Sequence, residues 1–319
     1  MNTTTTVHGV FSALSKTLLL LAAISVAALH AGSAEANTLI YGVDVANDIY
    51  EIDPVAKTTT KVLTSSELGQ TANALAWNDA NQHLFFINAA NTFDYWERST
   101  NTIKSVGGSP LNLTADPNNA AYYNGSFWYF EHNTNILKEA QISYVGGDPL
   151  TATPQVDAVI PHLIPSISST GFNTNTFGDI AIDTNTGTLY GSTSRGRFYS
   201  IDLNNPGTSF TEILVSQGND RTVGLQLSFD NLSNTLYGTN YNSGDWYSID
   251  TTTGALTQIA GFNTIVAGGK GFRDLGGAAA VPEPSTIGLA AVGLVGGLGY
   301  TGIRRRRRKA ELADANLAA

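Results

Sequence analysis

Five short segments of one pattern recur along the chain: Leu39-Ile-Tyr-Gly42, Leu84-Phe-Phe-Ile87, Phe127-Trp-Tyr-Phe130, Leu189-Tyr-Gly191 and Leu236-Tyr-Gly238. Their starts lie 45, 43, 62 and 47 residues apart. A period in the forties built from short apolar segments leaves few architectures open. One such unit cannot bury its own apolar face and must stack against copies of itself.

Within a unit the order is constant. An alternating segment comes first, as in Phe177-Gly-Asp-Ile-Ala-Ile-Asp183 and Leu225-Gln-Leu-Ser-Phe-Asp230. A polar turn follows (Asn185-Thr-Gly187; Asn231-Leu-Ser-Asn234), then the Leu-Tyr-Gly segment. Next comes an aromatic segment closing in Asp: Ile49-Tyr-Glu-Ile-Asp53, Phe198-Tyr-Ser-Ile-Asp202 and Trp246-Tyr-Ser-Ile-Asp250. A turn such as Thr251-Thr-Thr-Gly254 then leads to a fourth segment. Alternation with period two places successive side chains on opposite faces of a strand, so each unit predicts a four-stranded sheet.

Repetition of such sheets predicts an all-β fold, a β-propeller of about five four-stranded blades, with aromatics filling the spaces between sheets. Six blades is an alternative if residues 112–123, or an insertion around residues 148–170, hold extra strands. That insertion contains Pro149, Pro154, Pro161 and Pro165 and accounts for the long third step. A two-sheet β-sandwich is the other alternative. The first unit lacks a leading segment, whereas Gly271-Phe-Arg-Asp-Leu-Gly-Gly277 has no partner of its own. Pairing the two would close the ring and remove its exposed edges.

Residues 37–280 hold 22 Asp and Glu against 10 Lys and Arg, a net charge of −12; the whole chain's −9 includes a terminal arginine run. This balance argues against nucleic acid as a partner, since phosphate binding needs clustered Lys and Arg. Cysteine is absent, so the chain has no disulfide, thiolate nucleophile or Cys-based metal site.

The two ends differ from the body. Lys16, the apolar residues 18–29 and Ala34-Glu35-Ala36 follow the order of a secretory signal, with Ala34 and Ala36 as the small residues of a cleavage site. At the other end, Val281-Pro282-Glu283-Pro284 opens an extended spacer, because proline neither continues a ladder nor sits inside a helix. The 17 apolar residues 287–303 follow. As a helix they measure about 26 Å, close to the least that spans a hydrocarbon core. Arg304, Arg305, Arg306, Arg307, Arg308 and Lys309 then form a stop-transfer cluster that leaves everything upstream outside. The expected layout is a signal peptide over 1–36, a propeller-like repeat domain over 37–280, and a sorting and anchor segment over 281–319 with one transmembrane helix.

The order Pro-Glu-Pro, short apolar helix, arginine run resembles the PEP-CTERM sorting signal of Gram-negative bacteria. The resemblance implies an exosortase, an intramembrane cysteine protease, as a partner together with the secretion machinery. It also implies transient anchoring in the inner membrane, followed by delivery to the cell surface or extracellular space. The tail 310–319 departs from the family, whose members usually stop soon after the arginines. More loosely, the body resembles secreted propeller-like repeat domains of other exported bacterial proteins.

Chemistry-bearing residues are sparse. His83, His132 and His162 lack the spacing of a helix-borne zinc pair and are expected on the surface or in packing. Asp53, Asp202 and Asp250 recur at equivalent places. Calcium ligation is one reading of them; the other is a turn whose carboxylate accepts following N–H groups, which repetition from unit to unit favours. Ser194-Arg195-Gly196 is not a nucleophile elbow, and Lys270 among Gly268, Gly269 and Gly271 lacks phosphate-loop spacing. Asp94 and Glu97 are a carboxylate pair of undefined separation. No catalytic residue, metal ligand or cofactor is assigned, calcium being the one ion to consider. The resulting expectation is a non-enzymatic binding, adhesion or structural module of the envelope or extracellular matrix, with exopolysaccharide as its partner. Trp96, Trp128 and Trp246 are candidates for stacking on sugars, against a plainer use in blade packing. The alternative is a lactonase-like hydrolase holding a metal in the central channel through Glu, Asn and Asp side chains.

Overall fold

The computed structural model describes residues 38–280 except 70, 89–90, 112, 114–116, 118, 131–133, 147–151, 165–176, 194–196 and 214–224. Blade one contains β1 (Thr38–Val43), β2 (Ile49–Asp53) and β3 (Thr58–Leu63). Blade two is β4 (Ala72–Asn78), β5 (His83–Asn88), β6 (Phe93–Glu97) and β7 (Thr102–Ser105). In blade three, β9 (Ala120–Tyr123), β10 (Ser126–Phe130), β11 (Ile136–Val145) and β12 (Thr153–Leu163) gain a short parallel strip, β8 (Gly107–Gly108), on their outer edge. Blade four is β13 (Phe177–Asp183), β14 (Thr188–Thr193), β15 (Phe198–Asp202) and β16 (Thr211–Ile213). Blade five is β17 (Leu225–Asp230), β18 (Thr235–Asn240), β19 (Asp245–Ile249) and β20 (Leu256–Asn263). The last strand, β21 (Asp274–Ala280), joins blade one as its innermost strand.

This is a five-bladed propeller. In each blade the recurrent Leu-Tyr-Gly segment is the second strand, as the repeat predicts. The ring closes by the expected pairing: β1 and β21 run antiparallel from Thr38↔Ala280 to Val43↔Asp274, with an irregularity between Ile40 and Tyr41. Neither a sandwich nor a sixth blade appears among the described residues. Residues 120–123 are the innermost strand of blade three. Thr153–Leu163, which its prolines mark as insertion, is instead that blade's fourth strand, bordered by β8 only at Gln155 and Val156. Pro154 and Pro161 fit there because an outer strand has N–H groups that serve no ladder.

Aromatic and branched side chains build five apolar clusters, one between each pair of neighbouring blades. Blades one and two share Tyr41, Trp77 and Trp96. Blades two and three share Phe85, Tyr95 and Phe127, and blades three and four share Trp128, Ile180 and Tyr199. Phe198, Leu227 and Phe229 join blades four and five. Ile40, Trp246 and Phe272 join blade five back to blade one. The core is therefore a set of layers between sheets, which is why every unit needs two neighbours. Gly191 shows how tight packing is within a blade as well: a Cβ there would lie 2.0 Å from Cζ of Tyr199 on the paired strand.

Turns are punctuated by side-chain carboxylates and amides. Asp53 Oδ1 accepts the N–H groups of Val55 and Ala56 at 2.9 and 2.7 Å. Asp250 Oδ1 accepts those of Thr252 and Thr253, and Asp202 Oδ1 that of Asn204. The recurrent Asp residues are thus turn-formers, and these N–H bonds hold Asp202 and Asp250 below the usual carboxylate range. Blade three opens with a tight Asn124-Gly125 hairpin, both residues at positive φ (48° and 80°), the geometry that suits an Asn-Gly pair.

Candidate functional site

The five innermost strands, β21, β4, β9, β13 and β17, neighbour one another in turn around the axis. Their C-terminal halves and, in blades two to five, the turns that follow line a cavity of about 490 Å³ at one mouth of the channel. Its position follows from the repeat: each blade delivers the end of an inner strand to the same place. Blade two brings Trp77, Asn78 and Asp79; blade three Tyr122, Tyr123 and Asn124; blade five Ser228, Asp230 and Asn231. Thr184 of blade four and Gly277 of β21 complete the circle, and Thr38, which pairs with Ala280, also lines it. Both ends of the described body therefore meet at the rim of this mouth.

Local structure holds these groups in place. Asn78 sits at the end of β4, where Oδ1 accepts Ala80 N–H at 3.2 Å and Nδ2 donates to Tyr144 Oη at 2.6 Å. Asp230 is buried; Oδ1 accepts Leu232 N–H at 2.8 Å and Oδ2 accepts the Ser233 hydroxyl. Asn231 ties blades four and five, accepting Thr184 N–H on Oδ1 at 2.7 Å. Asp79, exposed at the rim, accepts Trp77 Nε1–H at 3.3 Å. Tyr122 lies flat on Phe85, ring centroids 5.5 Å apart, and burial pushes its hydroxyl up to about 12. Its hydroxyl therefore stays protonated as a hydrogen-bond donor. The mouth offers amides, hydroxyls, aromatic surface and the carboxylates of Asp79 and Asp230, and among the described residues no Lys, Arg or His lines it.

Several residues singled out from the sequence lie elsewhere. Trp96, Trp128 and Trp246 are 3%, 4% and 0% exposed, which removes them as sugar platforms and leaves them to blade packing. Asp94 and Glu97, three apart on β6, point to opposite faces of the strand. Asp94 accepts the Ser105 hydroxyl at 2.7 Å, whereas Glu97 pairs with Lys104, so they form no common site. His162 bonds Glu139 at 3.2 Å and stacks on Trp128. His83 begins β5, enclosed by Phe85, Tyr95 and Tyr144. Lys270 donates to Asn242 Oδ1 at 2.9 Å. Among the described residues no three His, Cys, Asp or Glu side chains are placed to hold a metal ion. Ala34, Ala36, Val281 to Pro284, Arg304 to Lys309, the apolar run 287–303, His132 and Ser194 to Gly196 lie outside the described residues. Among the described residues no helix is long and apolar enough to cross a membrane.

The mouth residues escaped the sequence reading because they sit at the ends of inner strands and in the turns after them, dispersed from Thr38 to Gly277. The one available signal was the repeated Asn or Asp ending those strands, at Asn78, Asp183 and Asp230.

Residues 280–308 match the family model of the PEP-CTERM protein-sorting motif. The chain carries a PEP-CTERM sorting motif. It is therefore an exported, PEP-CTERM-sorted protein with a propeller body. No curated protein sequence matches it at a significant level. Among solved structures, it is similar to a chain of a nidogen/laminin complex (11% identity, TM-score 0.43, covering 76% of this chain and 97% of that one). It is also similar to a catalytically inactive virginiamycin B lyase from Staphylococcus aureus with quinupristin (15%, TM-score 0.40, 71% of each chain). A third likeness is to a protein of unknown function from Bacteroides thetaiotaomicron (11%, TM-score 0.43, 72% of this chain and 60% of that one). At these identities and TM-scores the likenesses carry no functional argument.

Proposed function

We propose that this PEP-CTERM protein is a cell-surface or extracellular binding module that takes uncharged saccharide units of an extracellular polysaccharide at the channel mouth. In this reading the 1–36 signal directs export. Segment 281–319 holds the protein in the inner membrane until exosortase acts near Val281-Pro282-Glu283-Pro284, with Arg304 to Lys309 as the stop-transfer cluster. The observation that carries the ligand class is the lining of the mouth: hydroxyl, amide and carboxylate groups on an aromatic frame, with no cationic side chain among the described residues. Such a set meets sugar hydroxyls as both donor and acceptor, and it disfavours anionic ligands by uncompensated charge. Binding fits better than turnover, because Asp230 is occupied by its own turn.

The test is a glycan array probed with the purified full-length protein. Neutral glycans are expected to bind above a heat-denatured control, and uronic-acid glycans to bind more weakly. Asp79→Ala and Tyr123→Phe each remove one polar group from the rim. Loss of a bond to a charged group is worth about 1.5–3 kcal/mol, so Asp79→Ala is expected to weaken binding roughly tenfold or more. An array without binding, or binding that neither variant alters, would refute the proposal.

A further inference from the structure

The inner strands carry, away from the mouth, two carboxyl groups that ligand binding does not use. Asp179 lies on β13 and Asp274 opens β21; both are 0% exposed. Asp179 Oδ1 accepts Ile180 N–H at 2.7 Å, and its Oδ2 accepts Leu227 N–H at 2.9 Å and Leu275 N–H at 3.3 Å. Asp274 Oδ2 accepts Leu75 N–H at 2.7 Å. The two side chains thus gather amides from blades four, five, one and two at a single point on the axis. Asp274 Oδ1 receives no donor, while the two carboxyls lie within hydrogen-bonding reach of each other.

Chemistry limits what such a pair can be. Two carboxylates present only lone pairs and cannot bond one another, whereas an acid and a carboxylate can. The converging N–H groups turn their positive ends inward, which suits one negative charge and opposes a metal cation. Arg273 is the cation that faces the pair. Its guanidinium donates to Asn47 Oδ1 at 2.6 Å and to the Ala72 carbonyl. Behind it stand Asp44 and Tyr241. From β15 the enclosed Tyr199 faces Asp179. β4 and β17 bring backbone amides, and β14 brings the Ser192 hydroxyl, which accepts Asp179 N–H at 3.2 Å.

We infer that Asp179 and Asp274 share one proton on the propeller axis and so form a clasp between four blades, loosened when that proton is lost. Because β21 is the ring-closing strand, the clasp locks the closure that the β1–β21 pairing begins. Loss of the proton would leave two adjacent charges enclosed with one cation already engaged elsewhere. Burial pushes both carboxyls above their usual range, Asp274 to about 8. The sign follows: the folded state keeps a proton that the unfolded state releases above pH 4. Stability from the pair is full below that value and is lost as pH rises toward 8.

The test is chemical unfolding of the purified full-length protein between pH 6.5 and 8, a window above histidine protonation. One retained proton makes the unfolding constant rise by up to about tenfold per pH unit, flattening as the pair's own titration is reached, for a rise of roughly 15-fold across the window. In Asp179→Asn/Asp274→Asn that rise is expected to flatten. Infrared spectroscopy of the wild-type protein at neutral pH should show the C=O stretch of a protonated carboxyl, absent from the double variant. A wild-type spectrum without that band, or a double variant with the wild-type pH profile, would overturn the inference. If the double variant does not fold, the wild-type spectrum decides.

Discussion

Replacing Trp246 by alanine tests whether the ring is held by its inter-blade layers. The indole is 0% exposed at the seam between blades five and one. It is tilted against Phe262 at 5.2 Å and meets Phe272 edge-on at 6.4 Å, while Nε1–H donates to Thr264 Oγ1 at 2.8 Å. Truncating a buried aromatic costs about 3–5 kcal/mol, because contacts are lost and the cavity only partly collapses. The abandoned Thr264 hydroxyl, itself buried, adds about 1 kcal/mol. Against a total of roughly 5–15 kcal/mol for a folded protein, a change of this size is large. Equilibrium urea unfolding of the full-length protein measures it. Trp246→Phe is expected to retain about half the stabilisation, and Thr264→Val in the Phe background to add little, since the bond is already gone. A loss below about 1 kcal/mol for Trp246→Ala would mean that the seam is loosely packed and the layered account is wrong.

Two further perturbations probe the same physics locally. Gly191→Ala forces a Cβ to within 2.2 Å of the Tyr199 hydroxyl oxygen, so urea unfolding should register a loss of about 1–3 kcal/mol from overpacking. Gly207→Ala meets nothing nearer than 3.5 Å and should stay within about 0.5 kcal/mol of wild type; equal effects at the two sites would sink the argument. His83 is fully enclosed, neither ring nitrogen has a hydrogen-bond partner, and burial pushes it down to about 4. The unfolded chain therefore takes that proton first, and stability falls by up to about 1.4 kcal/mol per unit as pH drops from 6.5 to 4. This opposes the Asp179–Asp274 contribution over the same range, so the wild-type profile there should be nearly flat. In His83→Phe, stability should rise toward acid, and an unchanged profile would show that His83 is not the group responsible.

The blade pattern was legible because it is local. Period-two alternation in Leu225–Asp230, the turn-forming Asp250 and the Leu-Tyr-Gly second strand each express a constraint that a few neighbouring residues satisfy by themselves. Even the closing of the ring could be anticipated, since one unit lacked a strand and one strand lacked a unit. Proline misled the reading at Thr153–Leu163: Pro154 and Pro161 look like loop markers until the strand is known to be the blade's fourth, bordered by β8 only at Gln155 and Val156, so that a missing N–H at either proline has no consequence. The tryptophans misled it in another way, because an aromatic that packs between sheets and one that stacks on a ligand have the same local pattern.

What the sequence alone determined is the repeat, the all-β propeller class and the sorting motif, each written in contiguous residues. Only the tertiary structure decided which side chains share a site. The mouth joins strand ends and turns from all five blades, and the axial clasp joins Asp179 to Asp274 across 95 positions of chain. A repeat specifies what each blade is; what lies at the axis depends on how the blades meet, and that is settled by packing between strands far apart in sequence.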